Sequence, residues 1–193
     1  ATLNSGTWAG NNFGTANITG GIWTKDNKSG ATVIMTKGTW SGNNAGKVTY
    51  EGGNWSGTNS GEVKLKADWN GTNAGGQIIF EDGKTWGGNN TGTGGEIGGN
   101  GVWTGNNQGN VSISNISWSG NNVADDGVVT LSDGAEWSGT NTATDFTLKM
   151  IGNSVWKVAG TAGDTVNIAN FVGSSANTFV LRSSNTAKPV FYM

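Results

Sequence analysis

The chain contains no cysteine, no histidine and a single proline. Without histidine and cysteine it lacks the most common general base, the thiol nucleophile and the most common transition-metal ligands. The absence of cysteine also excludes a disulfide framework. We therefore predict that the protein is not an enzyme and that it holds neither a metal nor any other cofactor.

Charge is scarce as well. Only 12% of the residues are charged, the formal net charge is −2, and Arg182 is the one arginine. A basic patch that would attract a nucleic acid or an anionic membrane surface is therefore not expected. No stretch approaches the roughly 20 consecutive apolar residues that a membrane-spanning helix needs. The sequence predicts neither a nucleic-acid partner nor a membrane span.

The thirteen carboxylates are scattered along the chain. Several precede glycine, in the dipeptides Asp82-Gly83, Asp126-Gly127 and Asp133-Gly134. Asp-Gly is a strong turn signal, so we interpret these carboxylates as solvated turn residues and not as a catalytic pair of a polysaccharide-cleaving enzyme.

Tryptophan, in contrast, is abundant and regularly spaced. The ten residues lie 14 to 19 positions apart, at Trp8, Trp23, Trp40, Trp55, Trp69, Trp86, Trp103, Trp118, Trp137 and Trp156. Most open the same phrase, which reads WSGNN at Trp40 and WTGNN at Trp103. A short period with the largest side chain in register is typical of stacked repeats. We predict that the ten indoles form a ladder in the core, because outside they would make a larger apolar patch than soluble monomers tolerate.

Residues 38–53 show how one repeat is built. Trp40 alternates with small polar residues and has a glycine two positions away on each side, which is the period-two pattern of a strand. An Asn-Asn turn follows, and then Val48 and Tyr50 share one face of a second strand. The second pattern recurs along the chain, although Ile97 stands alone in a Gly-rich repeat that we expect to be irregular.

Each unit of about 16 residues therefore reads as strand, turn, strand, turn. Stacked units would pair each strand in parallel with its copy, about 4.8 Å away, with Trp over Trp and Asn hydrogen-bonded to Asn. We predict an all-β, short-rung parallel β-solenoid. The alternative is a long antiparallel β-meander made of the same strands. Matching side chains at every repeat favour the solenoid.

The two ends of the sequence differ in character. Residues 1–156 form the Trp/Gly/Asn repeat array, whereas residues 157–193 lack the Asn-rich phrase and contain the single proline, Pro189. We interpret this second segment as atypical terminal strands that form a cap or a subunit contact. The assembly contacts predicted there are Val190, Phe191 and Tyr192.

The WSGNN units with short Val-x-Tyr or Val-x-Leu strands resemble repeats of secreted prokaryotic β-solenoids of the cell surface. Passenger domains of autotransporters and some sheath or surface-layer proteins carry similar Gly- and Asn-rich repeats. The resemblance covers about residues 1–156 and implies a secreted protein at the cell surface, acting in adhesion or in building a scaffold. It supplies no catalytic residue.

Two functions are compatible with these features. The first is an extracellular structural protein that polymerises with itself through β-sheet edges into a sheath, surface layer or fibre, because low charge and stackable rungs favour addition of further copies. The alternative is a monomeric adhesin or carbohydrate-binding passenger domain whose partners are surface glycans.

Overall fold

A computed structural model describes residues 1–158, 168, 170–174 and 177–181 of the 193-residue chain. These residues form nineteen strands and no helix. In chain order the strands are β1 (Thr2–Leu3), β2 (Thr7–Trp8), β3 (Thr15–Trp23), β4 (Thr32–Trp40), β5 (Lys47–Tyr50), β6 (Asn54–Trp55), β7 (Thr58–Asn59), β8 (Glu62–Leu65), β9 (Thr72–Asn73), β10 (Gln77–Trp86), β11 (Gly95–Trp103), β12 (Val111–Ser114), β13 (Ser117–Trp118), β14 (Val128–Ser132), β15 (Glu136–Trp137), β16 (Thr147–Met150), β17 (Val155–Val158), β18 (Asn170–Gly173) and β19 (Thr178–Leu181).

Every strand pairing among the described residues is parallel. Each strand pairs with its own counterpart in the next repeat, so Trp23 lies opposite Trp8 on one side and Trp40 on the other. This arrangement confirms the predicted parallel β-solenoid, here of about nine turns, and rules out the antiparallel meander.

Each coil has three structural parts. The Val side is formed by strands such as β5 and β8, whose alternate residues point inward. The Trp side is formed by the short strands that end at each tryptophan, such as β6 and β13. Between one Trp side and the next Val side lies the Asn corner, where single asparagines of neighbouring coils form parallel bridges from Asn12 to Asn141. Side chains from all three parts meet in one narrow core.

The Gly-rich repeat around Ile97 keeps the register of its neighbours. Ile97 lies opposite Ile78 and Ile113, and β11 runs without a break from the Val side to the Trp side. The expectation of an irregular repeat is therefore wrong on the Val side, while the pairing between β10 and β11 shifts register between Phe80 and Lys84. Gly101 is accepted in β11 because the Phe80 ring of the preceding rung fills the core against it.

The core of the N-terminal coils (residues 14–94) is filled at the corner between the Val side and the Trp side. The large side chains there are Ile18, Met35, Tyr50, Leu65 and Phe80, which lie above one another in register. At the first inward position of the Val side, the coils in the middle of residues 14–94 have only glycine. These residues are Gly46, Gly61 and Gly76.

The core of the C-terminal coils (residues 95–158) is filled at the other end of the Val side. Val111, Val129 and Leu148 lie in register there. At the corner that Phe80 fills in the N-terminal coils, the chain turns at Gly99 and then at Asn115, whose φ is 52°. Apolar volume has thus moved from one end of the strand to the other, and the core keeps its continuity.

Parallel pairing continues beyond the repeat phrase. β18 pairs with β16, and β19 pairs with β17 so that Phe179 lies opposite Trp156. The contact residues predicted at positions 190–192 lie outside the described residues.

Candidate functional site

The ten tryptophans form a single stacked column along the solenoid. Nine consecutive ring pairs are stacked with centroids 4.4 to 6.0 Å apart and interplanar angles of 4° to 19°. Nine of these side chains are at most 3% exposed, and Trp8 in the first rung is only partly buried. The column arises because all coils place tryptophan at the same inward position of a paired strand.

The indole N–H groups are satisfied by the backbone of the preceding coil. In eight coils the indole Nε1 donates to the carbonyl of the residue two positions after the previous tryptophan, over 2.8 to 3.4 Å. Trp69 is the exception, since it donates to the Trp55 carbonyl itself over 3.2 Å. Its coil is the shortest, since Trp69 follows Trp55 by only 14 positions, and its ring lies 6.0 Å from Trp86.

The glycine two residues after most tryptophans leaves room for two neighbours. A Cβ added at Gly120 would lie 1.8 Å from the Gly105 carbonyl oxygen and 2.8 Å from Nε1 of Trp118. The same distances at Gly57 are 1.9 Å to the Gly42 carbonyl oxygen and 3.0 Å to the indole nitrogen of its own coil. Both are below normal contact, so the WxG phrase is a packing requirement.

A second column is formed by asparagines, all of which are buried except the partly buried Asn141. The side-chain amide of each donates to the Oδ1 of the next, over 2.8 to 3.0 Å, through the series Asn12, Asn27, Asn44, Asn59, Asn73, Asn90, Asn107, Asn122 and Asn141. The same side chains also form hydrogen bonds with the local turn. Asn44 Nδ2 donates to the Gly46 carbonyl over 3.1 Å, and Asn44 Oδ1 accepts from the Gly46 backbone amide over 3.0 Å. The polar column is therefore fully satisfied inside an otherwise apolar core.

The outer member of each Asn-Asn pair reinforces this column from the surface. Asn106 Oδ1 accepts from the backbone amide of Asn121 over 3.0 Å, and Asn121 Oδ1 accepts in turn from that of Thr140 over 3.1 Å. The sequence predicts Asn-to-Asn hydrogen bonds, but it does not show which asparagine of each pair points inward.

Among the described residues both columns begin at the first rung, and another described rung covers only one face of it. Trp23 stacks on one face of Trp8 at 4.8 Å, and no acceptor for the Trp8 indole N–H lies among the described residues. From the described residues Asn12 Oδ1 accepts only the Gly14 amide, at 3.2 Å. Phe13, beside Asn12, is 76% exposed.

The backbone of the first rung is open on the same face. The carbonyls of Gly6 and Trp8 accept the amides of Ile22 and Thr24 from the second rung. Backbone groups of successive residues in a parallel strand point to opposite sides, so those of Thr7 point to the uncovered face. Among the described residues this rung is therefore unpaired on one side, and it carries a partly exposed aromatic ring.

Ion pairs bridge rungs on the outer Val side. Hydrogen bonding to Lys64 holds the pKa of the Glu81 carboxyl below its usual range, and the Glu51 carboxylate raises the pKa of the Lys66 ammonium. Burial raises the pKa of the Tyr50 phenol, whose hydroxyl donates to the Gly53 carbonyl over 2.6 Å.

The candidate acidic residues of the turns do not converge. Asp82, Asp126 and Asp133 are all exposed, and within the described ranges no group of three potential metal ligands occurs. The described residues also include no helix that could cross a membrane.

A groove interrupts the outer surface of the Val side where the two parts of the rod meet. Its volume is about 390 Å³, and Gly98 and Gly99 form its floor. Ile79 and Ser114 precede and follow Gly98 in register, so the glycine leaves a one-rung gap between two side chains. The sequence analysis missed this groove because it depends on the register of neighbouring strands.

No family model, curated protein or solved structure matches the chain.

Proposed function

We propose that the protein is an extracellular structural protein that assembles with copies of itself, through the edges of its β-sheet, into a sheath, surface layer or fibre. The observation that carries this proposal is the repetition of one rung along the described coils, each of which presents paired strands, a tryptophan and an asparagine to the next. The rung that contains Trp8 has the same parts, and the Trp8 ring is only partly buried. A rung from a second copy would bury that ring and pair the open backbone groups of Thr7.

The directions of the two columns determine how the copies would join. Indole N–H groups point back toward the first rung, as from Trp23 to the Gly10 carbonyl, whereas asparagine amides point away from it, as from Asn12 to Asn27. The next copy must therefore present a carbonyl above Trp8 and an amide donor above Asn12. A repeat coil has those groups only on the face that points away from the first rung. In this chain β18 and β19 cover that face of the last tryptophan-bearing coil, so head-to-tail joining would place the first rung of one copy against the terminal strands of another, and the polymer would be polar.

Electrostatics do not oppose such an assembly. The formal charge of the chain is −2, and most lysines of the Val side are paired across rungs. These pairs are Lys47–Glu62 (3.0 Å), Lys64–Glu81 (2.6 Å) and Lys66–Glu51 (2.9 Å). Repulsion between copies is therefore weak at neutral pH.

The surface location rests on composition, because Gly- and Asn-rich repeats without cysteine are shared with secreted surface arrays. Immunogold labelling of intact cells of the source organism would test it, and label confined to the cell interior would contradict it.

The assembly is tested by electron microscopy and sedimentation velocity of the purified chain over a range of concentration and salt. We expect end-to-end polymers with the roughly 4.8 Å axial repeat of stacked strands in fibre diffraction. The variant Leu3→Lys places an ammonium group at a partly buried position of the first rung and should leave monomers.

Ser117→Lys is the matched control, because it adds the same charge at an exposed position in the middle of the rod. It should polymerise like the original chain. Monodisperse monomers of the original chain under all conditions would overturn the proposal and would leave the open rung to another segment of a longer protein. Equal polymerisation of the Leu3→Lys variant would overturn the edge contact.

A further inference from the structure

The groove at Gly98 has the shape of a binding site for an elongated ligand. It runs along the rod axis, across the strands β10, β11, β12 and β14, because residues of all four line it. Its volume of about 390 Å³ lies within the range of small-ligand sites. A Cβ at Gly98 would approach the Ser114 hydroxyl to 2.7 Å, so this position must stay without a side chain for the groove to remain open.

The lining is rich in groups that bind hydroxyls. Glu96 and Ser112 are adjacent in register on one side of the floor, and Ser114 lies one rung after Gly98. The hydroxyls of Ser112 and Ser114 have no hydrogen-bond partner among the described residues. Together with the partly exposed Ile79, these groups offer hydrogen bonds beside an apolar contact.

The charge of the groove differs from that of the surface next to it. In the preceding rungs Glu62 and Glu81 are each paired with a lysine. Within the described part of the chain no lysine pairs with Glu96 or Asp133, and Glu96 instead accepts from the side-chain amide of Gln77 over 3.2 Å. The groove is therefore locally anionic, which repels acidic ligands and favours neutral or cationic ones.

We propose that this groove binds a carbohydrate chain of neutral or amino sugars, lying along the rod axis. Carboxylates and hydroxyls at the spacing of neighbouring rungs accept and donate hydrogen bonds to sugar hydroxyls, and the apolar faces of the sugar rings contact Ile79 and the glycine backbone. Binding at this site goes beyond self-assembly and does not depend on it, because the groove lies on the side of the rod and the open edge lies at its end.

The proposal is tested by isothermal titration calorimetry of the full chain with three probes: cellohexaose, the hexamer of glucosamine, and hexagalacturonate. We expect the neutral or the amino-sugar hexamer to bind at least about tenfold more tightly than the acidic one. Gly98→Val fills the gap and Glu96→Gln removes the charge while keeping the shape; each should weaken that binding by about tenfold or more.

Thr49→Val is the matched control, because Thr49 lies in the same outward row two rungs before Ile79 but outside the groove. It should bind like the original chain, and so should the Leu3→Lys variant, which separates this site from the assembly edge. Binding of none of the three probes, or binding that Gly98→Val and Glu96→Gln leave unchanged, would overturn the proposal. Tighter binding of the acidic probe would also overturn it.

Discussion

The N-terminal and C-terminal coils solve the same packing problem with different residues. In three of the N-terminal coils a left-handed glycine lies two residues before the tryptophan, at Gly21, Gly38 and Gly53, and a Cβ at Gly53 (φ 96°) would lie 2.7 Å from Cε of Met35. In the C-terminal coils the left-handed residue is one or two positions earlier, as at Asn115 and Asp133, and Ile116 occupies the place of the glycine. The left-handed turn residue and the buried apolar side chain have therefore exchanged positions between the two sets of coils.

Other features do not change between the two parts. The tryptophan column, the asparagine column and the glycine two residues after most tryptophans continue through both. The comparison indicates that these three features define the fold, whereas the corner is free to vary as long as core volume is conserved.

The glycine after the tryptophan should be equally intolerant of substitution in both parts. Gly57→Ala and Gly120→Ala each force a Cβ to within 2 Å of a backbone carbonyl of the preceding coil. We expect each to lower the free energy of unfolding by about 3 to 5 kcal/mol, measured by guanidinium denaturation with tryptophan fluorescence. Gly14→Ala is the control, because nothing lies within 4 Å of its added Cβ, and it should change stability little. Similar stability of all three variants would contradict the packing requirement.

The asparagine column should be the next most sensitive feature. Asn107→Ala removes the acceptor of the Asn90 amide and the donor to Asn122, which leaves buried polar groups unpaired. We expect a loss of about 2 to 4 kcal/mol, and a similar loss for Asn44→Ala in the N-terminal coils. Asn12→Ala should cost less, since it has an asparagine neighbour on one side only. A loss at Asn107 no larger than at Asn12 would show that the column contributes little to stability.

These shared features are the part of the fold that the sequence predicts well. The spacing of the WxG phrase sets the register, so the strands, their parallel pairing and the stacking of Trp over Trp follow from one repeat. The Asn-Asn turn indicates a hydrogen-bonded column for the same reason.

The exchange at the corner and the groove are harder to predict. The Phe80 ring fits in the core because Gly101, in the next coil, lies directly against it and has no side chain. This contact can be recognised only when the register between the two coils is known. The groove likewise depends on Gly98 following Ile79 in register. Both depend on the volumes of residues 19 or 21 positions apart in the sequence, which a local pattern does not reveal.

The junction between the two parts should show this compensation directly. A Cβ at Gly101 would lie 2.4 Å from Cδ1 of Phe80, so Gly101→Ala should destabilise the original chain. In the Phe80→Ala background the ring is absent and the same change should cost less, with a coupling energy of about 1 to 2 kcal/mol in a double-mutant cycle. Leu65→Ala, one rung earlier in the same column, is the control background and should give no such relief. Additive effects of Phe80→Ala and Gly101→Ala would contradict the exchange of volumes.

The smallest expected difference concerns acid. The N-terminal coils contain the Lys64–Glu81 pair, which lowers the pKa of Glu81. A carboxyl whose folded-state pKa lies below its unfolded value stabilises the fold above the unfolded value, and this contribution is lost as pH falls through the folded one. Glu81→Gln should therefore be slightly less stable than the original chain at pH 7 and equal to it at about pH 2, with only a small effect because the pair is exposed to solvent.

Glu96→Gln at the start of the C-terminal coils is the matched control for the acid effect, since no lysine pairs with Glu96 in the described part of the chain. The stability difference between Glu96→Gln and the original chain should not disappear between pH 7 and about pH 2 in the way expected for Glu81→Gln. Denaturation midpoints measured for the three proteins at both pH values provide the comparison. If the denaturation midpoints of Glu81→Gln and Glu96→Gln changed with pH in the same way, the acid response would be caused by the net charge of the protein and not by the ion pairs between rungs of its N-terminal coils.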